Sequence, residues 1–477
     1  MTAQARTPGA DLFGALNDPQ PCDLLVSGGR VLDLATETAA DDHAAIAIRA
    51  GFIVAVGGED DIRKAWRPLR RIDASGHVIA PGFVDAHVHL SAFLGAGRPY
   101  QKATAPGPFS GAGKVEQVLP MIAKLVNMPV TAELTHAVLR PALVSMLRSG
   151  ITGVVDAGSS GIDGLVQAAA EVGIRAAIGP SLTDQWHDPS GRLVRHAEAD
   201  KLLANASALI ARHDGAGEGR IRALVSAVQT MACSDELLAG IAELAKTRDV
   251  PTHVHSHISE GSAKAHLDAF RRTETERLHD AGMLTARCTL MHAGWLTDDD
   301  IAAFRRTGVT ANHNAVGNAM LGFGTVRAGS VLRLLAAGVP VVLGSDYAPF
   351  AISTPFEMMR AALLLHRDLL AADNALTLEQ ALTMATNGGA SLGRVGELGA
   401  IAVGRRADLI LVDATGPHHL GVDHPVPALA LHGRAADVTT VIVAGRVVID
   451  RKQLVGIDEH EMAEAARRAL AIVALHG

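Results

Sequence analysis

Two patterns of hydrophobic and polar positions follow one another along this chain. Between Cys22 and Ile79, short runs of alternating apolar and polar residues are separated by Gly and Asp, as in "CDLLVSGGRVLD" and "AAIAIRAGFIVAVGG". Such runs are typical of half-buried strands in a small β module. After Pro81, short apolar runs alternate with longer stretches of helical periodicity, which indicates repeated βα units. The pattern therefore predicts a β module followed by an α/β domain.

Eight apolar runs in the second region have the length and composition of buried strands. They are "FVDAHVHL", "GITGVVDAG", "IRAAIGPSL", "IRALVSAV", "PTHVHSH", "CTLMHAG", "GVTANHN" and "PVVLGSD". Eight parallel strands that alternate with helices predict a closed (β/α)8 TIM barrel. The helical stretches carry start signals, for example Ser234 followed by acidic residues in "SDELLAGIAELAKTRD".

The strand pattern returns after Gly396, in "GELGAIAVGRRADLILVDA" and "VTTVIVAGRVVID", and a final helix is predicted in "DEHEMAEAARRALAIVALHG". We expect both chain ends to fold together as one small β-sandwich beside the barrel. The predicted division is residues 1–80 for the first part of the sandwich, 81–396 for the barrel, and 397–477 for the second part with the final helix.

Composition supports a large core and argues against several partners. Of the 477 residues, 48% are hydrophobic and only 3% aromatic, which suits a parallel sheet covered by Ala-rich helices. The net charge of −7 comes without a long basic run, so neither nucleic acid nor a membrane surface is expected as a partner. A small-molecule substrate is the expected partner.

The cysteines and the first residues indicate the compartment. Cys22, Cys233 and Cys288 lie far apart and form no Cys-x-x-Cys pair, which argues against a disulfide framework or a thiolate zinc site. The first twenty residues lack the charged start and apolar run of a signal peptide, and no stretch approaches membrane-spanning length. These features predict a cytoplasmic protein.

Two histidines follow the first apolar run of the predicted barrel. His87 and His89 are two positions apart, so both side chains lie on one face of a strand. Catalytic groups of such barrels collect at the C-terminal strand ends, where two imidazoles at one depth can bind a metal ion. A pair of this kind also occurs as hydrogen-bonded core residues, so the pair alone leaves both interpretations open.

Three further predicted strands end in residues of the same kinds. These are His253, His255 and His257, followed by Glu260, on the fifth strand, His292 on the sixth, and Asp346 on the eighth. Because the C-terminal ends of barrel strands meet at one mouth, we expect these side chains to lie close together. Imidazole and carboxylate groups together predict a site for a divalent metal ion.

Several motifs together resemble the amidohydrolase superfamily, in its metal-dependent branch of deaminases and of triazine and phenylurea hydrolases. They are "PGFVDAHVHL", a later His-x-x-Glu, a lone His after an apolar strand, "LGSD", and the trailing "GAIAVGRRADLILVD". The resemblance runs from about Leu24 to Val448. It is specific for the superfamily and much less so for the substrate. It implies a hydrolase that acts on carbon–nitrogen bonds.

The resemblance also implies a set of metal ligands. His87, His89, His257 and Asp346 would hold one divalent ion per chain, with zinc favoured and iron compatible with the same ligands. His255 is the alternative ligand on the fifth strand. Binuclear relatives carry a carboxylated lysine on the fourth strand, and "IRALVSAV" has none, so one metal is expected.

Catalytic roles follow from the same resemblance. A bound metal ion lowers the pKa of a water ligand, for which Asp346 can act as base, while Glu260 can protonate the leaving nitrogen. His292 could polarise the group under attack.

Four further residues are candidates for contact with the substrate. They are His313, Asn318, Trp295 and Tyr347. His313 lies near the end of the seventh predicted strand, and the other three follow predicted barrel strands. The aromatic members suggest an apolar or ring-bearing ligand, although each could equally serve loop packing.

One position bears on the reaction. Adenosine-type deaminases of this branch carry a histidine just past the fourth strand, where this chain has Val228 beside Gln229. This difference favours cleavage of an amide, urea or carbamate bond in a small, largely uncharged molecule. The alternatives are deamination of an amino-substituted purine, pyrimidine or triazine and, more remotely, a non-catalytic assembly partner. We expect a homo-oligomer.

Overall fold

The computed structural model describes residues 19–32, 34, 44–95, 130–188, 192–346, 353–394 and 396–476. The strands, in chain order, are β1 (Gln20–Val31), β2 (Ala44–Arg49), β3 (Phe52–Gly58), β4 (Trp66–Asp73), β5 (His77–Pro81), β6 (Phe83–Val88), β7 (Ile151–Asp156), β8 (Arg175–Ile178), β9 (Ser181–Leu182), β10 (Gln185–His187), β11 (Leu193–Arg195), β12 (Ile221–Ala223), β13 (Val225–Ala227), β14 (Thr252–Ser256), β15 (Cys288–His292), β16 (Thr310–His313), β17 (Val341–Leu343), β18 (Leu409–Asp413), β19 (Val438–Val443), β20 (Arg446–Asp450) and β21 (Gln453–Leu454).

Helices occupy most of the connections between barrel strands and the C-terminal end. The α-helices that the structure describes are Glu59–Ala65, Ala132–Arg148, Ile162–Val172, Ala199–His213, Ala216–Gly219, Asp235–Arg248, Glu260–Phe270, Glu274–Asp280, Asp298–Thr307, Ala315–Leu321, Thr325–Ala328, Ser330–Ala336, Pro355–Leu370, Leu378–Thr386, Pro425–Pro427 and Glu459–His476. Several begin at side-chain caps, and Ser234 accepts a hydrogen bond from the Leu237 N–H as its position predicts.

All eight predicted barrel strands are present, and the TIM-barrel prediction is confirmed. They are β6, β7, the split strand β8/β9, the split strand β12/β13, and β14 to β17 in chain order. β8 pairs with β12 in a four-stranded sheet, and β9 pairs with β13 in a six-stranded sheet. The two split strands therefore run from one sheet into the other.

The first and last barrel strands meet through a parallel bridge. Val88 is bridged to Asp346. The Asp346 N–H donates to the His87 carbonyl at 2.8 Å, and the His89 N–H donates to the Asp346 carbonyl at 3.2 Å. Because this contact involves the histidine strand and the aspartate strand, barrel closure brings the predicted metal ligands together.

Both chain ends contribute to one β module beside the barrel. Its nine-stranded sheet has the order β21-β20-β19-β18-β5-β1-β2-β3, with β4 paired to β1. The long strand β1 pairs with β2 and β4 through one part and with β5 through the other. Leu24 and Ile46 from one layer pack with Ile79, Leu409 and Ile442 from the other, which is the sandwich that the sequence predicts. The domain limits at residues 80 and 396 stay a prediction.

A buried ion pair connects the module to the barrel. Arg175 on β8 donates to both carboxylate oxygens of Asp408, which precedes β18, at 2.8 and 2.7 Å. Both side chains are almost fully buried. Paired hydrogen bonds of this kind fix orientation as well as distance, so they define the position of the sandwich against the third barrel strand.

Two sequence-based expectations about thiols and membranes can be compared with the structure. Cys22, Cys233 and Cys288 are all buried free thiols. In the part of the chain that is described, no helix is both long and apolar enough to cross a bilayer.

Candidate metal centre

Side chains from four barrel strands converge at the C-terminal mouth. They are His87 on β6, His89 directly after β6, His255 on β14, His292 at the end of β15, and Asp346 after β17. His87, His89 and His255 form one group of mutually close ligand atoms, and His87, His292 and Asp346 form another. The shared member, His87, joins both groups into one centre that could hold a metal ion.

Short distances define this centre. The His87 Nε2 atom lies 3.2 Å from Asp346 Oδ1, and His89 Nε2 lies 3.7 Å from the same oxygen. His255 Nε2 is 3.4 Å from His89 Nε2. Ligand atoms about 2.0–2.2 Å from a zinc ion stand roughly 3.3 Å apart in a tetrahedron. The observed spacing therefore fits a divalent ion between these side chains.

The backbone at the strand ends turns two of the groups toward the mouth. His292 and Asp346 both have φ of 69°, the left-handed region that non-glycine residues seldom adopt. Conformations of this kind persist where surrounding contacts hold them, and they concentrate at functional sites. Here the contacts are the strand pairings at the end of β15 and beside His87.

On the fifth strand, the structure brings His255, the alternative ligand, close to His87 and His89. His255 belongs to the centre, whereas His257 does not appear in any close ligand group among the described residues. His257 Nε2 lies 3.1 Å from Thr275 Oγ1, and its ring stacks edge-on against Phe304 of an outer helix. The strand ends at Ser256, and φ of 53° at His257 breaks the alternation that would have put both histidines on one face.

Glu260 is also placed differently from the prediction. It is the first residue of the helix Glu260–Phe270, its side chain is 65% exposed, and its charged neighbour is Arg327 at 3.6 Å. Counting three positions from His255, the fifth-strand histidine of the centre, the His-x-x-Glu spacing ends at Ile258, a buried hydrophobic residue. The predicted proton shuttle therefore lies at the exposed rim and not among the close ligand groups.

Burial keeps the imidazoles of His89 and His255 in the neutral form that binds metal ions. It lowers the pKa of His89 to about 3, with His87 adding to the effect, and lowers the pKa of His255 well below its usual value. Burial opposes ionisation of Asp346, but His292 and a hydrogen bond from His87 outweigh it and lower the carboxyl pKa to about 2. Neutral imidazoles beside an ionised carboxylate are the ligand states that a divalent ion requires.

Unpaired polar atoms provide an independent test of the fit to a metal ion. Both ring nitrogens of His87 and the Oδ2 atom of Asp346 are buried, and none of them makes a hydrogen bond of good geometry in the protein. Burial of unpaired polar groups is costly, and metal coordination is a standard way to compensate it. The donor set therefore fits a divalent ion bound by imidazole and carboxylate, as zinc prefers.

Neighbouring polar residues hold this arrangement in place, and one of them was missed from the sequence. Asp85, two positions before His87, accepts hydrogen bonds from Ser345 N–H and Oγ–H at 3.0 and 2.6 Å. Burial raises the Asp85 pKa to about 6. Asp85, His87 and His89 occupy alternate positions in "FVDAHVHL", and residues at i and i+2 share a strand face. The sequence therefore already indicated that Asp85 lies on the same face as the two histidines.

The structure assigns a local contact to the predicted substrate residue Asn318. The Nδ1 atom of His292 donates to Asn318 Oδ1 at 2.8 Å, and the Asn318 amide donates to Thr325 Oγ1 at 3.0 Å. This hydrogen bond orients the His292 ring and leaves its Nε2 atom for the centre. Asn318 thus acts through His292.

The other predicted substrate residues lie at different depths. His313 is fully buried against the ring of His366, and burial lowers its pKa to about 3. Trp295 is half-buried and donates from Nε1 to the Phe323 carbonyl at 2.9 Å. Tyr347 lies outside the described residues, as does most of the loop after the first barrel strand.

An apolar wall stands beside the centre, and Val228 is the one member of it that the sequence motifs had drawn attention to. Buried Ile258 and Phe323 form a cluster with Trp186, Val228 and Leu321. The Phe323 ring stands edge-on to His292, with 5.6 Å between centroids. A substrate held at His292 would thus meet hydrocarbon on one side. Val228, noted for the histidine it replaces, belongs to this wall.

A barrel that gathers imidazoles and one aspartate at its C-terminal mouth defines the class of metal-dependent hydrolases. Within that class the chain belongs to the amidohydrolase family, whose model matches residues 78–448. The protein is therefore a metal-dependent hydrolase that acts on carbon–nitrogen bonds, and the family prediction from the sequence motifs is confirmed.

Relatives with assigned activities share nearly the whole length of the chain. A 5'-deoxyadenosine deaminase of Methanosarcina mazei is 29% identical over 454 residues, which cover 94% of this chain and 97% of the relative. A 5-methylthioadenosine/S-adenosylhomocysteine deaminase of Syntrophobacter fumaroxidans is 29% identical over 453 residues, with 93% and 97% covered.

Solved structures share the fold at lower identity. A zinc-bound adenosine deaminase of Xanthomonas campestris superposes with a TM-score of 0.81 at 23% identity, covering 96% of this chain and 100% of the other. The zinc complex of atrazine chlorohydrolase from Arthrobacter aurescens also gives 0.81, at 24% identity, with 94% and 100% covered.

Proposed function

We propose that this protein is a mononuclear zinc hydrolase that cleaves an amide, urea or carbamate carbon–nitrogen bond in a small, largely uncharged and partly apolar molecule. His87, His89, His255 and Asp346 would hold the ion, with iron compatible with the same ligands. When bound, a divalent ion lowers the pKa of a water ligand toward neutrality and so supplies a hydroxide nucleophile.

One observation carries the choice of reaction. Asp346 is the one carboxylate in the two ligand groups at the barrel mouth, while the position three residues after His255 is Ile258 and Glu260 is exposed. A single buried carboxylate can accept a proton from the attacking water and return it to the leaving nitrogen. Cleavage of an amide or urea needs one proton on the leaving nitrogen, whereas ring deamination also needs a proton on the ring nitrogen when water adds to the adjacent carbon. A mouth with one carboxylate therefore favours the amide, urea or carbamate reaction.

The remaining residues bind and orient the substrate. His292, held by Asn318, presents Nε2 as an acceptor for a substrate N–H. The apolar wall of Ile258, Phe323 and their neighbours would contact the hydrocarbon or aromatic part. His313 and Trp295, which belong to neither ligand group at the mouth, would shape the pocket.

Deamination is the second candidate, and a specific observation favours it. The relatives that cover most of this chain are named as deaminases of 5'-deoxyadenosine and of 5-methylthioadenosine. For that reaction Glu260 would have to turn inward from the rim when substrate binds and protonate the leaving amine. A non-catalytic assembly partner is the third and remote alternative.

Product masses separate these candidates. Zinc-loaded protein is incubated with aminopurines, including 5'-deoxyadenosine, aminopyrimidines, aminotriazines, anilides, phenylureas and carbamates. Our proposal predicts amine and acid fragments from the anilides, ureas or carbamates. Exchange of an amino group for hydroxyl, with no fragmentation, would establish the deaminase instead, and no turnover of any class would favour the non-catalytic alternative.

Two variants test the role of each carboxylate on whichever substrate is turned over. Asp346→Asn should lower kcat by about 10²–10⁴, the usual contribution of a general acid–base. Glu260→Gln, its exposed control, should change kcat by less than about threefold. An equally large loss in Glu260→Gln would contradict the single-carboxylate mechanism.

A further inference from the structure

A second group of histidines lies in the C-terminal segment, outside the centre at the barrel mouth. It consists of His418, His419 and Asp437, which we call the distal cluster, and His432 stands beside it. The ligand atoms of His418, His419 and Asp437 all lie within 4.8 Å of one another. We propose that the distal cluster is a second divalent metal site, suited to zinc, with a structural role.

The distances in the distal cluster match those between the ligands of one ion. His418 Nε2 lies 2.9 Å from Asp437 Oδ2, and His419 Nε2 lies 3.5 Å from the same oxygen. The imidazole rings of His418 and His419 are 4.3 Å apart between centroids. Ligands around tetrahedral zinc stand roughly 3.3 Å apart, so a small movement of side chains would place all three around one ion.

His419 provides the independent sign of a missing partner. Its side chain is fully buried, and neither Nδ1 nor Nε2 makes a hydrogen bond of good geometry in the protein. An unpaired buried imidazole beside a carboxylate is costly unless something else binds it.

The backbone already holds the cluster together. His419 ends the 3₁₀ turn Pro417–His419, and its N–H donates to the Gly416 carbonyl at 2.9 Å. Asp437 ends the 3₁₀ turn Ala435–Asp437 and accepts from the Arg434 N–H at 2.9 Å. A site whose ligands are ordered before binding loses little conformational entropy when the ion arrives.

His432 supports the cluster from one side. Its Nδ1 donates to the His418 carbonyl at 2.9 Å, and its ring centroid lies 6.3 Å from that of His419. The side chains of His418 and Asp437 are 24% and 13% exposed, which gives an ion a path from solvent. Three protein ligands with a water molecule in the fourth position therefore complete the proposed site.

The position of the distal cluster indicates what the ion would do. The two turns follow β18 and precede β19, which are antiparallel neighbours in the sandwich. An ion shared by His418, His419 and Asp437 would close the long connection between these strands at its base. Closure of a loop by a metal ion stabilises the folded state chiefly by restricting the unfolded chain.

Metal stoichiometry tests the proposal on the full-length protein. The protein is incubated with zinc chloride, dialysed, and analysed by native mass spectrometry. We expect His419→Leu to hold one zinc ion fewer per chain than the unaltered protein, and His460→Leu, a control at an 83% exposed side chain, to hold the same number. Because the readout is a difference between variants, it does not depend on whether the centre at the barrel mouth binds zinc.

A second variant covers the case in which His419→Leu does not fold. Asp437→Asn keeps an oxygen that can accept from Arg434 and His418 but loses the negative charge. We expect the zinc affinity of the distal cluster in this variant to fall at least tenfold in competition with a chelator. Equal zinc content in folded His419→Leu and the unaltered protein, or unchanged affinity in Asp437→Asn, would overturn the proposal.

Discussion

Replacing His255 and His257 one at a time tests which fifth-strand histidine binds the metal. We expect His255→Ala to weaken zinc binding strongly, because His255 Nε2 lies 3.4 Å from His89 Nε2 and the residue belongs to the close ligand group. His257→Ala should leave zinc binding nearly unchanged, because its ring contacts Thr275 and Phe304.

The expected loss of affinity follows from the free energy of zinc binding. Binding of structural zinc has an apparent free energy of about 10–16 kcal/mol. Divided over four ligands this is about 3 kcal/mol each, which corresponds to roughly 100-fold in affinity at 1.4 kcal/mol per factor of ten. The variant His257→Ala loses one buried hydrogen bond and some packing, so its unfolding free energy should fall by about 1–3 kcal/mol.

Chelator competition at fixed pH measures zinc affinity, and chemical denaturation of the metal-free proteins measures stability. The predicted pattern is a large affinity loss in His255→Ala alone. A large affinity loss in His257→Ala together with near-normal binding in His255→Ala would refute the assignment of His255 and favour His257, the histidine of the His-x-x-Glu motif, as the fifth-strand ligand.

Three further predictions concern stability and the apolar wall. Arg175→Met should lower the unfolding free energy by about 3–5 kcal/mol, because it leaves Asp408 buried without its partner; a loss under 1 kcal/mol in denaturant titration would contradict this. Burial raises the Asp156 pKa to about 7 from 3.8, so the folded state holds an extra proton between these values and loses stability as pH rises. The stability of Asp156→Asn relative to the unaltered protein should therefore rise between pH 4 and 7, by up to about 1.4 kcal/mol per pH unit, and a pH-independent difference would refute it. Phe323→Ala should raise KM for an apolar substrate more than it lowers kcat. An equally large rise in KM for a small polar substrate would contradict the role of the apolar wall.

The fold was predictable because its signals are local and repeated. Each barrel strand is an apolar run between helical stretches, and the strand pattern after Gly396 matches that before Ile79. Pairing of β18 with β5 confirms that the two ends form one module. His87, His89 and Asp346 were accessible by the same logic, since strand periodicity fixes which residues share a face.

The fifth strand was not predictable in the same way. Whether His255 or His257 faces the mouth depends on where β14 stops being extended, and His257 has positive φ. That turn is held by contacts distant in sequence, as Glu274 Oε1 accepts from the His257 N–H at 2.9 Å. The exposed position of Glu260 depends on a related local feature, because the capping box of Ser259 starts a helix whose first residue faces solvent.

Zinc-edge anomalous diffraction from crystals of the zinc-loaded protein would test the central claim most directly. Our account predicts an anomalous peak at the barrel mouth within about 2.0–2.2 Å of nitrogens of His87, His89 and His255 and of an Asp346 oxygen. A peak coordinated by His257 in place of His255, or the absence of any peak between these four side chains, would contradict it.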